Sequence, residues 1–172
     1  MGVTIHHKAV FNSKASLAQM IEEVKDIADT NGWPYHIWET KFPKKPIAKN
    51  NHKRYGIFVS PPRCESVDFS FSADGTMPDW QYTKTQFAGS AMHIVVVNLL
   101  RYISKKYYSH IEVDDEGDYW QTNDEALLQK QIDTVGQMIK LMHHALEETP
   151  KQKGEKIVDY ITRVAKTAKR NL

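Results

Sequence analysis

The spacing of apolar positions divides the chain into strand-like and helix-like stretches. Residues 3–11 (VTIHHKAVF) are rich in β-branched side chains and predict a strand. Asn12 and Ser13 then offer N-caps for a helix over residues 14–31. Within it Leu17, Met20, Ile21, Val24, Ile27 and Ala28 share one face, with Glu22, Glu23, Lys25 and Asp26 on the other. Gly32 supplies a left-handed stop, and Pro34 prevents continuation. Residues 35–42 form an aromatic strand candidate, followed by a loop rich in Pro, Lys and Asn and a further strand over 55–60. Residues 66–72 alternate: Val67, Phe69 and Phe71 point one way, and Ser66, Asp68, Ser70 and Ser72 the other, as in a half-buried strand. Asp74-Gly75 is a hairpin turn signal, so residues 77–84 are expected to pair back against 66–72, with Pro78 at an edge or bulge.

Gly89-Ser90 opens a segment of another kind. Met92, Ile94, Val95, Val96, Val97, Leu99, Leu100 and Ile103 leave almost no polar face, which predicts a helix enclosed nearly all round at the centre of the core. A short strand over 110–113 follows. Thr122-Asn123-Asp124-Glu125 reads as a capping box for a long helix in which Leu128, Ile132, Val135, Ile139, Met142 and Leu146 step by four and three. Pro150 and Gly154 separate it from a last helix carrying Ile157, Val158, Ile161, Val164, Ala165 and Ala168. The order β-α-β-β-β-β-α-β-α-α indicates an α+β fold, a mostly antiparallel sheet of about five to six strands packed against helices. One domain covers residues 1–172, with 150–172 a peripheral C-terminal helix.

Composition narrows this little. The chain has 172 residues, 41% apolar and 26% charged, the proportions of an ordinary globular domain. Lys plus Arg number 23 against 21 acids, a formal net charge of +2 that singles out no class of partner. Four Trp, eight Tyr and six Phe supply burial area that argues against disorder. Cys64 is the only cysteine, so no internal disulfide forms, which fits a reducing compartment. The start, MGVTIHHKAVF, has no signal-like apolar run, and the densest apolar stretch, residues 91–100, is too short to span a bilayer. These features place the protein in the cytoplasm and off the membrane.

Candidate chemistry gathers in a few places. Glu112, Asp114, Asp115, Glu116 and Asp118 crowd around Gly117, and repelling carboxylates of this kind can be relieved by a divalent cation. Asp114, Asp115, Glu116 and Asp118 are therefore metal candidates, although an EF-hand register begun at Glu112 fails because Asn123 falls where a bidentate carboxylate is required. The ordinary alternative is a solvated turn whose acids favour the following helix N-terminus. The eight histidines show no metal-ligand spacing; His6-His7 point to opposite faces of a strand and His143-His144 sit about 100° apart on a helix. His93 is the exception of interest. One turn into the most apolar helix, it reads either as a proton-transfer group facing the acidic turn or as a core histidine bonded to a backbone carbonyl.

Lys84, Thr85, Gln86 and Ser90 converge just before that helix, where free N–H groups favour anions, and with Tyr119 and Trp120 they are the ligand-binding candidates. A strand end and a Ser cap explain the same residues without a ligand. Two basic stretches remain: Lys44, Lys45, Lys49, Lys53 and Arg54, and Lys151, Lys153, Lys156, Arg163, Lys166, Lys169 and Arg170. Aromatic residues are sparse in both, Tyr55 and Tyr160 being the nearest, and neither carries the motifs of nucleic-acid readers. Cys64 beside Arg63 has no assignable base, and no GxSxG or GxGxxG occurs.

No segment matches a family motif residue by residue. The reading is thus a non-catalytic binding or interaction protein, with a protein partner or a second copy of itself to engage. One alternative is a metal-assisted or acid–base enzyme using His93 and the acidic turn 112–118. The second alternative is a nucleic-acid-associated protein using stretches 44–54 and 151–170. The sequence requires no cofactor, a divalent cation being the one it could accommodate.

Overall fold

The computed structural model describes residues 2–44 and 53–170. Its elements run β1 (Thr4–Phe11), α1 (Leu17–Asn31), β2 (Tyr35–Ile37), β3 (Tyr55–Val59), β4 (Val67–Phe71), β5 (Gln81–Lys84), α2 (Ser90–Tyr107), β6 (Tyr108–Asp115), α3 (Tyr119–Thr122), α4 (Glu125–Glu148) and α5 (Ile157–Arg170). This is an α+β fold in which the named strands all pair antiparallel, with one isolated parallel bridge between Glu39 and Tyr55. The six strands form two sheets of three, however, ordered β5-β1-β6 and β2-β3-β4, not one sheet of five or six.

The division follows from what happens after the Asp74-Gly75 turn. The turn forms as expected: Gly75 has a φ of 81°, Ser72 N–H donates to Thr76 O at 2.8 Å, and Asp74 Oδ1 accepts from the Thr76 backbone and hydroxyl at 2.9 and 2.7 Å. The returning chain pairs with β1 instead of β4. Met77 N–H donates to Ala9 O, Pro78 has no N–H to continue the ladder, and β5 then runs along β1 with Thr4 opposite Lys84 and His7 opposite Gln81. β4 and β5 remain tied only at one end, by Glu65 N–H to Lys84 O (3.1 Å) and the Thr83 hydroxyl to Ser66 O (3.0 Å). Beyond that tie they diverge.

The core lies between the inner faces of the sheets, α1 and α2. Ile5, Ala9 and Phe11 from β1, Tyr55, Ile57 and Val59 from β3, and Val67, Phe69 and Phe71 from β4 are all buried. α1 lays Leu17, Met20, Ile21, Val24 and Ala28 against them. It is capped by Ser16, not by Asn12 or Ser13 as expected, and so begins three residues later; the Ser16 Oγ accepts from Gln19 N–H, and the helix ends at Gly32 in the left-handed region with φ 65°. Gly56 permits the close approach of β3 to β4: a Cβ there would lie 2.2 Å from Phe69 O.

Three further expectations need correction. α2 is enclosed on one broad face only, through His93, Val96, Val97, Leu99, Leu100, Ile103 and Tyr107; Ala91, Val95, Asn98 and Tyr102 form an exposed stripe left uncovered by β6, α4, α1 and α3. Its apolar composition exceeds what its environment demands, and single exposed apolar residues are tolerated. β6 is longer than the expected 110–113. The cap of α4 is Asp124, whose Oδ1 accepts from Leu127 N–H, while Thr122 ends the short α3 and its hydroxyl accepts from Asp124 N–H. α5 packs against the end of α4 with Val164 buried and Ile157, Val158 and Ile161 exposed, a peripheral position. Among the described residues no helix is long and apolar enough to cross a membrane.

Candidate functional site

His93 and Asp115 meet. The start of α2 and the end of β6 bring His93 Nε2 to 3.0 Å from Asp115 Oδ1 and 3.1 Å from Oδ2. The other ring nitrogen, Nδ1, is 2.7 Å from the Thr85 hydroxyl, which also lies 3.3 Å from Val3 O. The neutral tautomer with its proton on Nε2 satisfies both nitrogens, donating to the carboxylate and accepting from Thr85. Asp115 accepts further from Gly117 N–H and Trp120 N–H, both at 2.8 Å. Burial pushes the Asp115 carboxyl up; the hydrogen bonds from His93, Trp120 and Gly117 outweigh this and hold it below its usual value. Gly117 completes the closure: a Cβ there would stand 2.6 Å from Leu128 Cδ1 and 3.0 Å from His93 Cε1.

Every polar atom in this network has a partner, and both side chains are 0% exposed. A proton-transfer pair needs a face toward substrate, and this one has none. The network instead ties together the N-terminus of β1, the turn before α2 and the acidic turn.

The neighbouring candidates are engaged in the same way. Gln86 accepts from Val3 N–H at 3.0 Å and donates to Ile132 O at 2.9 Å, joining β1 to α4. The Ser90 hydroxyl donates to Gln129 Oε1 at 2.6 Å. Lys84 lies over Gly2, where a Cβ would come 2.9 Å from Lys84 Cε. Tyr119 is buried, and Arg101 sits over both the Tyr119 and Trp120 rings, 5.6 and 5.4 Å from their centroids, while donating to both carbonyls. A cleft of about 570 Å³ does open beside this segment, but Phe87, Ala88 and Gly89 share it with Ile132, Gly136 and Lys140 of α4, not with the acidic turn.

The acidic residues do not converge. Asp115 points inward to His93, whereas Asp114 stands opposite His6 on the outer face of the sheet, and Glu116 and Asp118 face solvent. Alternation along β6 enforces the first separation. Among the described residues no group of three or more His, Cys, Asp or Glu side chains could hold a metal ion. Burial pushes the Cys64 thiol up to about 11, leaving it protonated near neutrality. In the basic stretches Lys53 pairs with Glu39 at 2.7 Å, Arg54 with Asp68 at 2.8 Å and Arg163 with Glu155 at 2.8 Å; Lys45 and Lys49 lie outside the described residues.

A different surface collects unsatisfied chemistry. Where β4 and β5 diverge, a groove of about 590 Å³ runs between the outer face of β2-β3-β4 and the 79–82 segment. One wall carries Trp38 and Phe58, the other Trp80 and Tyr82. Trp38, Trp80 and Tyr82 are 38%, 42% and 63% exposed. Behind Trp38, His36 meets its ring edge-on at 4.3 Å and stacks on Phe58 at 5.6 Å, so the first wall is a supported aromatic surface. Arg54, Glu65, Asp68 and Asp79 supply its charge. His7 on β1 donates from Nε2 to Asp68 O at 3.1 Å, with Nδ1 unpartnered among the described residues. Burial lowers the His7 pKa to about 4, against smaller opposing effects of Asp68.

None of these aromatics was among the sequence candidates. The available signal was phase: His36 and Phe58 pair across β2 and β3 in the outward positions, where an alternating strand normally places polar residues. Compared with protein families, curated proteins and solved structures, the chain finds no match.

Proposed function

We propose that the protein is a non-catalytic binding protein that engages its ligand through the aromatic groove between β2-β3-β4 and the 79–82 segment. One observation carries this reading: Trp38, Phe58, Trp80 and Tyr82 line a single concavity, three of them substantially exposed. A lone exposed aromatic is unremarkable, but several around one groove mark interaction surfaces, since each ring would be stabilised by covering it. Aromatic anchors are also the side chains that dominate binding energetics. A cytoplasmic setting fits the single cysteine.

The enzyme alternative has its best pair, His93 and Asp115, sealed from solvent. The nucleic-acid alternative has three of its cations held in ion pairs. A fragment screen by NMR on the full chain tests the proposal. Binding that perturbs the Trp38 and Trp80 indole N–H resonances supports it; hits confined to the Phe87–α4 cleft, or no hits at all, overturn it.

A further inference from the structure

We propose that the ligand of this groove is a basic one, an arginine or lysine side chain on an extended peptide of a protein partner; this rests on reading the groove as the binding face. The charge of the lining carries the assignment. Three carboxylates, Glu65, Asp68 and Asp79, face one guanidinium, Arg54, in a protein whose overall formal charge is +2. The local sign is thus opposite to the global one.

Hydrogen-bonding capacity points the same way. Asp68 is engaged on both oxygens, accepting from Arg54 Nη1 at 2.8 Å and from Ser70 N–H at 2.9 Å. The Ser66 hydroxyl is paired with that of Ser60 at 2.8 Å, and the Gln81 amide donates to Asp79 O at 3.1 Å. What remains open is acceptor: the Asp79 carboxylate, which has no partner among the described residues, and the Glu65 oxygen not receiving Lys84 N–H. A ligand that satisfies them must donate, and carboxylates accept only.

Exposed indole and phenol rings on both walls add attraction for a cation over their faces. A phosphate or a nucleic-acid backbone would meet the carboxylates instead, so polyanions are disfavoured despite the aromatic walls. The groove is open along its length, with Tyr82 more than half exposed. It covers a ligand on one side only, which suits a peptide that gathers several weak contacts better than an isolated amine.

The test uses the full chain and five probes: Gly-Ser peptides of equal length carrying Arg/Lys, Gln or Glu, a neutral oligosaccharide, and a single-stranded oligonucleotide. Indole N–H shifts of Trp38 and Trp80 report binding. Only the Arg/Lys peptide is expected to bind, with affinity falling roughly tenfold on Trp80→Ala and several-fold on Asp79→Asn, and weakening with salt. If the Gln or Glu peptide, the sugar or the oligonucleotide binds at the same indoles as tightly, the basic-ligand assignment is overturned and the groove reading stands. If the Arg/Lys peptide binds but Trp80→Ala and Trp38→Ala leave its affinity unchanged, the groove reading falls, and the assignment with it. Absence of binding by all five probes at millimolar concentration overturns both. Trp80 and Asp79 are exposed, so the variants should keep the parent's circular dichroism and thermal midpoint, which rules out misfolding as the cause.

Discussion

The His93–Asp115 network and the aromatic groove hold similar ingredients, rings and carboxylates, in opposite states. At the start of α2 each polar atom is matched by another inside the protein, and neither His93 nor Asp115 sees solvent. At the divergence of β4 and β5 the rings are partly exposed and a carboxylate, Asp79, has no partner among the described residues. Unusual residues in unusual places are therefore insufficient to mark a site. Polar groups paired inside the protein hold a fold together, whereas groups that only water satisfies at a surface are available to a ligand.

The largest expected effect breaks the first side of that contrast. Asp115→Ala removes the acceptor of three hydrogen bonds at once, leaving His93 Nε2–H and the N–H groups of Gly117 and Trp120 buried without partners. We expect a loss of about 3–5 kcal/mol in chemical denaturation, the range for breaking a buried polar pair from one side. Ligand affinity measured on whatever fraction remains folded should not change. A loss under about 1 kcal/mol would mean the network does not hold the fold.

Next comes acid. His7 is buried and neutral, with its pKa lowered to about 4 from an ordinary 6.5. Above pH 6.5 neither state is protonated and the stability is complete. Between about 6.5 and 4 the unfolded chain takes up a proton that the folded one refuses, so stability falls by up to ~1.4 kcal/mol per pH unit. Asp115, held below its usual value, has the same sign but contributes only at lower pH, where the unfolded carboxyl takes up a proton before the folded one does. Denaturation curves from pH 7 to 4.5 should show the slope in the parent and lose most of it in His7→Gln, which keeps a donor for Asp68 O. A parent with flat stability over that window would contradict the burial of His7.

How much of this the sequence disclosed depended on how local the cause was. The face of α1, its Gly32 stop and the Asp74-Gly75 turn were legible because each is decided within a few residues. The choice of β1 over β4 as partner for β5 was not, since it depends on Pro78 and on a strand 70 residues earlier. The contact of His93 with the acidic turn could be anticipated from its place beside an apolar core, but whether that contact was open or sealed depended on Thr85, Gly117 and Trp120 arriving together. The groove was illegible for a related reason. Phe58 lies in β3 and Trp38 just after β2, whereas Tyr82 lies in β5 and Trp80 just before it, and only the divergence of β4 from β5 brings them to one groove.

The smallest expected change in stability sharpens the other side of the contrast. Trp80 follows Pro78 and Asp79 in a segment outside any strand, is 42% exposed, and forms no ring pair with another aromatic among the described residues. Replacing it with Ala uncovers little core, so unfolding should shift by no more than about 1 kcal/mol, far less than for Asp115→Ala. If the groove is the binding face, the same substitution should weaken ligand capture about tenfold, as truncating an aromatic anchor does. The two variants then trade places: one loses stability and keeps affinity, the other keeps stability and loses affinity. A Trp80→Ala protein as unstable as Asp115→Ala would show that the wet indole is a structural prop, and the distinction between satisfied and available chemistry would fail where it matters most.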